Sequence, residues 1–277
     1  MKYIVAVSGG VDSMVLLDVM RRVGDHELIV AHFDHGIRPD SHLDAEFVSN
    51  VAKYHGLPFE TKREELGPSA SEALARERRY AFLHELAEKY NARIATAHHL
   101  DDLVETVAIN ITRGTGWRGV AVLDSKVIRP LIDTEKSALI AYAQRNNIPW
   151  REDPTNASDA YLRNRIRKQA KDIPTQAKRE LRALHAHQKA LKRAIQQEVQ
   201  TLIGPGPYYS RYMFSNLPAP AALECLREVT DGALTRPQLA RALHAIKVAR
   251  PHATFEAGNG TKLYFSTRQF SLQLIKL

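Results

Sequence analysis

The chain has 277 residues, 44% of them apolar and 25% charged, with a net charge of +8; this is the make-up of a soluble globular protein of roughly two domains, and no run approaches the ~18 apolar residues a membrane helix needs. The single cysteine, Cys225, excludes an intrachain disulfide framework, an all-cysteine zinc site and an intrachain cysteine-held iron–sulfur cluster. The apolar run Tyr3–Val7 is too short for a signal peptide, so the expected compartment is the cytoplasm.

Strands and helices alternate through the first 150 residues. A β-branched run, Lys2–Val7, precedes a helix over Val11–Val23. A strand at Leu28–Phe33 and a helix at Ala45–Tyr54 follow, then a weak strand at Phe59–Lys62. The pattern Ser69-x-x-Glu72 reads as a capping box opening a helix to Tyr90. Ile94–Ala97, Leu100–Thr112, Val127–Leu131 and Thr134–Asn146 complete the series as strand, helix, strand, helix. Strict alternation with near-continuous apolar strands predicts an α/β fold with a doubly wound parallel five-stranded sheet. Ligands of such sheets bind beyond the carboxyl ends of the strands, here Ser8, Asp34-His35 and His98-His99.

After Trp150 the character changes. A polar, basic stretch with the turn cluster Asp153-Pro154-Thr155-Asn156 leads into a long helix over Gln176–Ile203, whose apolar stripe is Leu181, Leu184, Leu191, Ile195 and Leu202. Gly204-Pro205-Gly206-Pro207 ends it. Helices at Ala219–Val229 and Pro237–Val248 follow, the second opened by Thr235-x-x-Gln238. Gly258-Asn259-Gly260 and the alternation Phe270, Leu272, Leu274 predict a small terminal sheet. The expected division is a catalytic domain 1–172 and a smaller, mainly helical domain 173–277. Charge is unevenly spread as well: residues 1–150 carry 18 basic and 21 acidic side chains, residues 151–277 carry 21 and 10. The back half is built to meet a polyanion.

Ser8-Gly9-Gly10-Val11-Asp12-Ser13 lies between a strand and a helix. Glycines let the backbone approach a ligand, and the helix start aims unpaired N–H groups at an anion. Ser8 and Ser13 add hydroxyls. Asp12 would repel phosphate unless a divalent cation lay between them, which predicts Mg²⁺ on Asp12. The turn has no lysine and is not a Walker A loop. In His98-His99-Leu100-Asp101-Asp102-Leu103-Val104-Glu105, the pairs Asp102/Glu105 and Asp101/Glu105 each share a helix face. Such grouped carboxylates suit a cation, either Mg²⁺ or an amine. His32-Phe33-Asp34-His35 shapes a nucleotide pocket or simply closes a strand, with Phe33 and His35 the candidates to meet the nucleotide. The buried stripe Leu83, Leu86, Ala87, Tyr90 extends backwards onto Arg79 and Arg76, which are expensive there unless they face a carboxylate or phosphate. Gly114-Thr115-Gly116-Trp117-Arg118-Gly119 matches a dinucleotide fingerprint as a string but follows a helix, so a nicotinamide cofactor is rejected; Arg113 or Arg118 is left to touch a phosphate. Arg163, Arg165, Arg167 and Lys168, beside Tyr161, suit an RNA backbone, as do Lys178 and Arg182 off the apolar stripe of the long helix.

The loop Ser8–Ser13 resembles the PP-loop of N-type ATP pyrophosphatases. Within that superfamily the chain resembles the tRNA(Ile)-lysidine synthases. The similarity rests on the loop with Ala31–Arg38, Glu72–Tyr80, Thr96–Thr106, Arg113–Gly116, Ile128–Leu131, Glu152–Asn156 and Arg163–Arg167, in the family's order. The resemblance implies ATP and Mg²⁺ as cofactors, and free L-lysine and an isoleucine tRNA with a CAU anticodon as partners. It implies adenylation of C2–O of the wobble cytidine, then displacement of AMP by the lysine ε-amine. Asp12 would hold Mg²⁺-pyrophosphate, Asp102 and Glu105 the lysine ammonium or a second cation, and Arg76 or Arg79 the lysine carboxylate or a phosphate. Rival readings are a tRNA thiolase, which usually needs paired or catalytic cysteines, another adenylating ligase, and an RNA-binding module with an inactive nucleotide fold.

Overall fold

The computed structural model describes residues 1–37, 40–67, 70–123, 127–152, 166 and 173–274. They divide into two compact units, Met1–Lys189 and Ala190–Leu277.

The first unit is built on four parallel strands, β1 (Lys2–Ala6), β2 (Glu27–Asp34), β3 (Phe59–Arg63) and β4 (Arg93–Ala95), in the order β3-β2-β1-β4. Side chains alternate between two cores, as the two-residue period of a strand requires. Tyr3, Val5, Leu28 and Val30 pack on one face with Met14, Leu16 and Leu17 of α1 (Val11–Arg22), Val48 of α2 (His42–Tyr54) and Leu139 of α5 (Lys136–Arg145). Ile4, Ile29, Ala31 and Phe33 pack on the other with Phe82, Leu83 and Leu86 of α3 (Glu72–Lys89). Helices therefore cover both faces, which is why Tyr3–Ala6 of β1 and Leu28–Ala31 of β2 are continuous apolar runs. A third cluster joins Leu100, Leu103 and Val107 of α4 (Leu100–Thr112) to Leu181 of α6 (Thr175–Ile203).

Three expectations need correction. The fifth strand, Val127–Leu131, is only one parallel bridge, Ala95↔Ile128. Pro130 has no N–H to extend a ladder, and the chain turns at once, with Ile132 N donating to Arg129 O at 3.1 Å. The cap of α3 is Ser71, whose hydroxyl accepts from Leu74 N at 3.2 Å; Glu72 is then the first helical residue, and Ser69 lies outside the described residues. The helix α5 begins at Lys136 rather than Thr134, with Glu135 as its N-cap.

The second unit begins inside α6. It contains α7 (Arg211–Asn216), α8 (Ala219–Val229) and α9 (Arg236–Val248), the last opened by the expected capping box of Thr235 and Gln238. Its antiparallel sheet is β5 (Tyr208–Ser210), β6 (Thr254–Gly258), β7 (Thr261–Phe265) and β8 (Gln269–Leu274), in the order β5-β8-β7-β6. Phe214, Phe270, Leu226, Leu239, Ile246 and Leu263 fill its core together with Cys225, whose thiol is pushed up by burial.

Candidate active site

The strand order makes the site. From β1 the chain moves to β2 on one side and, after β3, returns to β4 on the other. The crevice beyond the carboxyl ends of β1 and β4 is thus a topological switch point. The turns after both strands converge there.

The turn after β1 is braced from within. Ser13 Oγ accepts from Ser8 N at 3.1 Å and donates to Gly10 O at 2.9 Å, so its one proton holds the loop. Gly9 sits at φ +92°, a conformation that suits glycine, and its carbonyl accepts from Arg151 N at 3.0 Å. Gly10 is the N-cap of α1 and no side chain caps that helix. The amides of Val11, Asp12 and Ser13 are the first of α1; such N–H groups have no partner inside a helix and are suited to an anion.

Carboxylates and cations interlock in front of this turn. Lys136 Nζ lies 2.6 Å from both carboxylate oxygens of Asp12. His99, buried at the N-cap of α4, places Nε2 3.8 Å from Asp12 Oδ2 and 3.4 Å from Asp102 Oδ2. Asp102 Oδ2 also accepts from His99 N at 3.0 Å, closing a capping box. Asp101 lies on the other side of the His99 ring, its Oδ2 3.7 Å from Nδ1, and it accepts from Lys178 Nζ at 2.6 Å and from Lys136 N at 2.8 Å. Burial alone would raise the Asp101 carboxyl, but these two bonds outweigh it and hold it below the usual carboxylate range. Of the three acids expected to take a cation, Asp101 is therefore committed to the scaffold. Glu105 is 2% exposed, one turn further along α4.

Three arginines act on His98, the residue before His99. Arg76 packs its guanidinium 4.8 Å from the Tyr80 ring centroid, with Arg79 at 5.8 Å. Both, with Arg129, act on His98, whose Nδ1 is 2.8 Å from Thr96 Oγ1. Burial first, and then these three arginines, push the His98 imidazole from 6.5 down to about 3, against the pull of Asp102. His98 is thus neutral at working pH. As pH falls below about 6.5 the unfolded chain takes up a proton that the fold refuses, so stability is lost progressively toward pH 3. His98→Asn is expected to flatten that part of the stability–pH curve, and the His98 ring signals should not titrate between pH 5 and 8; a ring titrating near 6.5 contradicts this.

Other expected site residues fall elsewhere. Phe33 is buried in the core, 5.7 Å from Phe82 and edge-on to His35 at 4.9 Å, so it supports His35 rather than meeting a base. His35 is half-buried, and its Nδ1 has no hydrogen-bond partner among the described residues. Arg113 is exposed at the C-cap of α4, roughly 20 Å along the helix from the His99 end, and is not brought to the turn. Lys178 is 6% exposed and its ammonium is spent on Asp101, so it is not an RNA contact. Arg182 pairs with Asp133 at 2.8 Å. Arg163, Arg165, Arg167 and Lys168 lie outside the described residues.

His99 is expected at the ligand edge without an assigned role, and Lys136 is not singled out at all. A signal for Lys136 existed in its position: it opens α5, where the helix dipole disfavours a cation. Lys178, in the first turn of α6, carries the same mark. Each lysine is at the wrong end of its helix because a carboxylate from another element waits there.

Residues 1–172 match the model of the PP-loop domain (ATP_bind_3). The chain belongs to the PP-loop domain family. Among curated relatives of this PP-loop chain, proteins named tRNA(Ile)-lysidine synthase are 44% identical over 172 residues in Thermus thermophilus and 42% over 169 residues in Solibacter usitatus. One from Thermotoga maritima is 42% identical over 178 residues. Each alignment covers 59% of this chain, but only 34%, 38% and 43% of the respective relatives. The chain thus spans about two fifths or less of their length. Among solved structures, a U34-tRNA thiolase from Methanococcus maripaludis superposes with a TM-score of 0.56 at 15% identity, over 69% of this chain and 72% of that one; the likeness is one of fold.

Proposed function

We propose that this chain is an ATP-dependent carbon–nitrogen ligase of the tRNA(Ile)-lysidine synthase kind, joining free L-lysine to C2 of the wobble cytidine in an isoleucine tRNA with a CAU anticodon. The observation that carries the proposal is the start of α1 at the switch point, uncapped by any side chain and carrying Asp12, with His99 set between Asp12 and Asp102. The names of the relatives support the choice among PP-loop chemistries.

In this reading the amides of Val11–Ser13 bind phosphate oxygens of ATP and hold them for displacement. The cytidine C2 oxygen attacks the α-phosphorus and pyrophosphate leaves. The lysine ε-amine, deprotonated at Asp102 or Glu105, attacks C2, and AMP departs with the oxygen. Adenylation splits one hard displacement into two easier ones. Arg76 or Arg79 faces the lysine carboxylate or a phosphate. Mg²⁺, when bound, would neutralise charge on the leaving pyrophosphate. The residues fit it in a limited way: among the described residues no group of three His, Cys, Asp or Glu could hold a metal. One carboxylate, Asp12, with phosphate oxygens suits an ion that keeps most of its waters.

The excess of basic residues over 151–277 supports a tRNA partner, whose wobble base lies in an accessible loop. No helix among the described residues is long and apolar enough to cross a membrane, and a cytoplasmic setting with the tRNA pool fits the reading. The test is incubation with labelled lysine, ATP and transcript tRNA, with cytidine or uridine at the wobble position. Label retained only on the cytidine transcript is the expected result; retention on neither, or on both equally, contradicts the assignment.

A further inference from the structure

We propose that Lys136 is a phosphate-binding residue, held on Asp12 in the nucleotide-free protein and transferred to the β- and γ-phosphates when ATP enters. This rests on the ATP reading of the Ser8–Ser13 turn. The structure couples the ammonium at the mouth of that turn to a carboxylate inside it, Asp12.

The turn, Ser8-Gly9-Gly10-Val11-Asp12-Ser13, contains no cation. A triphosphate brought against it would meet backbone amides and one carboxylate, leaving phosphate charge and Asp12 in mutual repulsion. Loops of comparable purpose solve this with a lysine used as a point charge. Here the lysine comes from another element. Lys136 is the first residue of α5, its own amide is fixed by Asp101 at 2.8 Å, and its side chain crosses to Asp12 at 2.6 Å on both oxygens.

Three features make this pair suited to exchange rather than to support. The two side chains are 39% and 30% exposed, so neither charge is locked in the core. In contrast, the neighbouring Lys178–Asp101 pair is 8% and 19% exposed. An ammonium has three donors, and two on Asp12 leave one to meet an arriving oxygen. Any cation that bridges Asp12 to phosphate must first displace this ammonium, which then stands beside the phosphates with its charge uncompensated. Lys136 therefore keeps Asp12 neutralised while the site is empty and supplies a positive charge when it is filled.

Equilibrium binding of ATP and of AMP to the full chain in EDTA tests this without a metal or turnover. Lys136→Ala is expected to weaken ATP binding about tenfold or more, the scale of a charge-assisted contact, and to leave AMP within about twofold. Lys136→Arg should retain most of the ATP affinity. Asp12→Asn should tighten ATP binding by freeing Lys136, and the gain should be largely lost in Asp12→Asn/Lys136→Ala. Should Lys136→Ala fail to fold, Lys136→Gln, whose amide keeps a bond to Asp12, gives the same comparison. Equal losses for ATP and AMP, no loss for either, or an Asp12→Asn gain undiminished without Lys136 overturns the proposal. A wild-type chain that binds neither nucleotide overturns the ATP reading itself, and is distinguishable because no variant is needed to see it.

Discussion

Asp12→Ala is expected to lower lysine incorporation into tRNA by on the order of 10²-fold or more, with pyrophosphate release falling in parallel. Asp12 is the only carboxylate within the Ser8–Ser13 turn. Its two neighbours on the crevice side, Lys136 and His99, cannot take its place because both lack an anionic ligand atom. The fold should survive, since Asp12 is partly exposed and its loss leaves the Ser13 braces intact. Unchanged incorporation with an unchanged melting temperature contradicts the role given to Asp12.

Lys178→Ala is expected to cost stability rather than tRNA affinity. The variant strands Asp101, a carboxylate with little exposure, and opens a hole between α4 and α6 where Leu181 meets Leu100 and Leu103. The expected loss is about 2–4 kcal/mol, below the full figure for a dry pair because Asp101 keeps some solvent and the Lys136 amide. The salt slope of tRNA binding should not change, whereas loss of a phosphate contact would reduce it by about 0.9. The pH dependence is specific. The Asp101 carboxyl is lowered in the fold, so its contribution is present above the ordinary 3.8 and is lost as pH falls through the folded value. Burial alone would lower the Lys178 ammonium, but Asp101 raises it, so its contribution is present below the ordinary 10.5 and is lost as pH rises through the folded value. Wild type and Lys178→Ala should therefore differ most at intermediate pH and converge at acid and alkaline extremes. Equal stability at neutral pH, measured by urea unfolding, contradicts this.

How much of the molecule was legible follows from what each signal depends on. The bounds of α4 and α8 match the periodicity, and β1, β2 and β4 stand within a few residues of the apolar runs, because burial forces those residues to be apolar; β3, an edge strand without a buried residue, gives only a weak signal. Val127–Leu131 looks like its neighbours in composition, yet the turn at Arg129–Ile132 limits it to one bridge; hydrogen-bond geometry, which composition does not encode, decides it. The turn over Ser8–Ser13 is legible since its residue types and its place after a strand carry the mechanism. Phe33 is ambiguous in the sequence because an aromatic at a strand end serves a core or a ligand equally well. Lys136 and Lys178 are hard to place because their partners, Asp12 and Asp101, lie far away in the chain. Only their position at the positive end of a helix marks them.

Amide resonances of Val11, Asp12 and Ser13, followed during titration with ATP, put the whole scheme at risk in one measurement. Large, saturable shifts at these three positions, with an affinity matching calorimetry and absent with adenosine, are the predicted result. Nucleotide binding that leaves these amides unmoved, with shifts at another edge of the sheet, would contradict it.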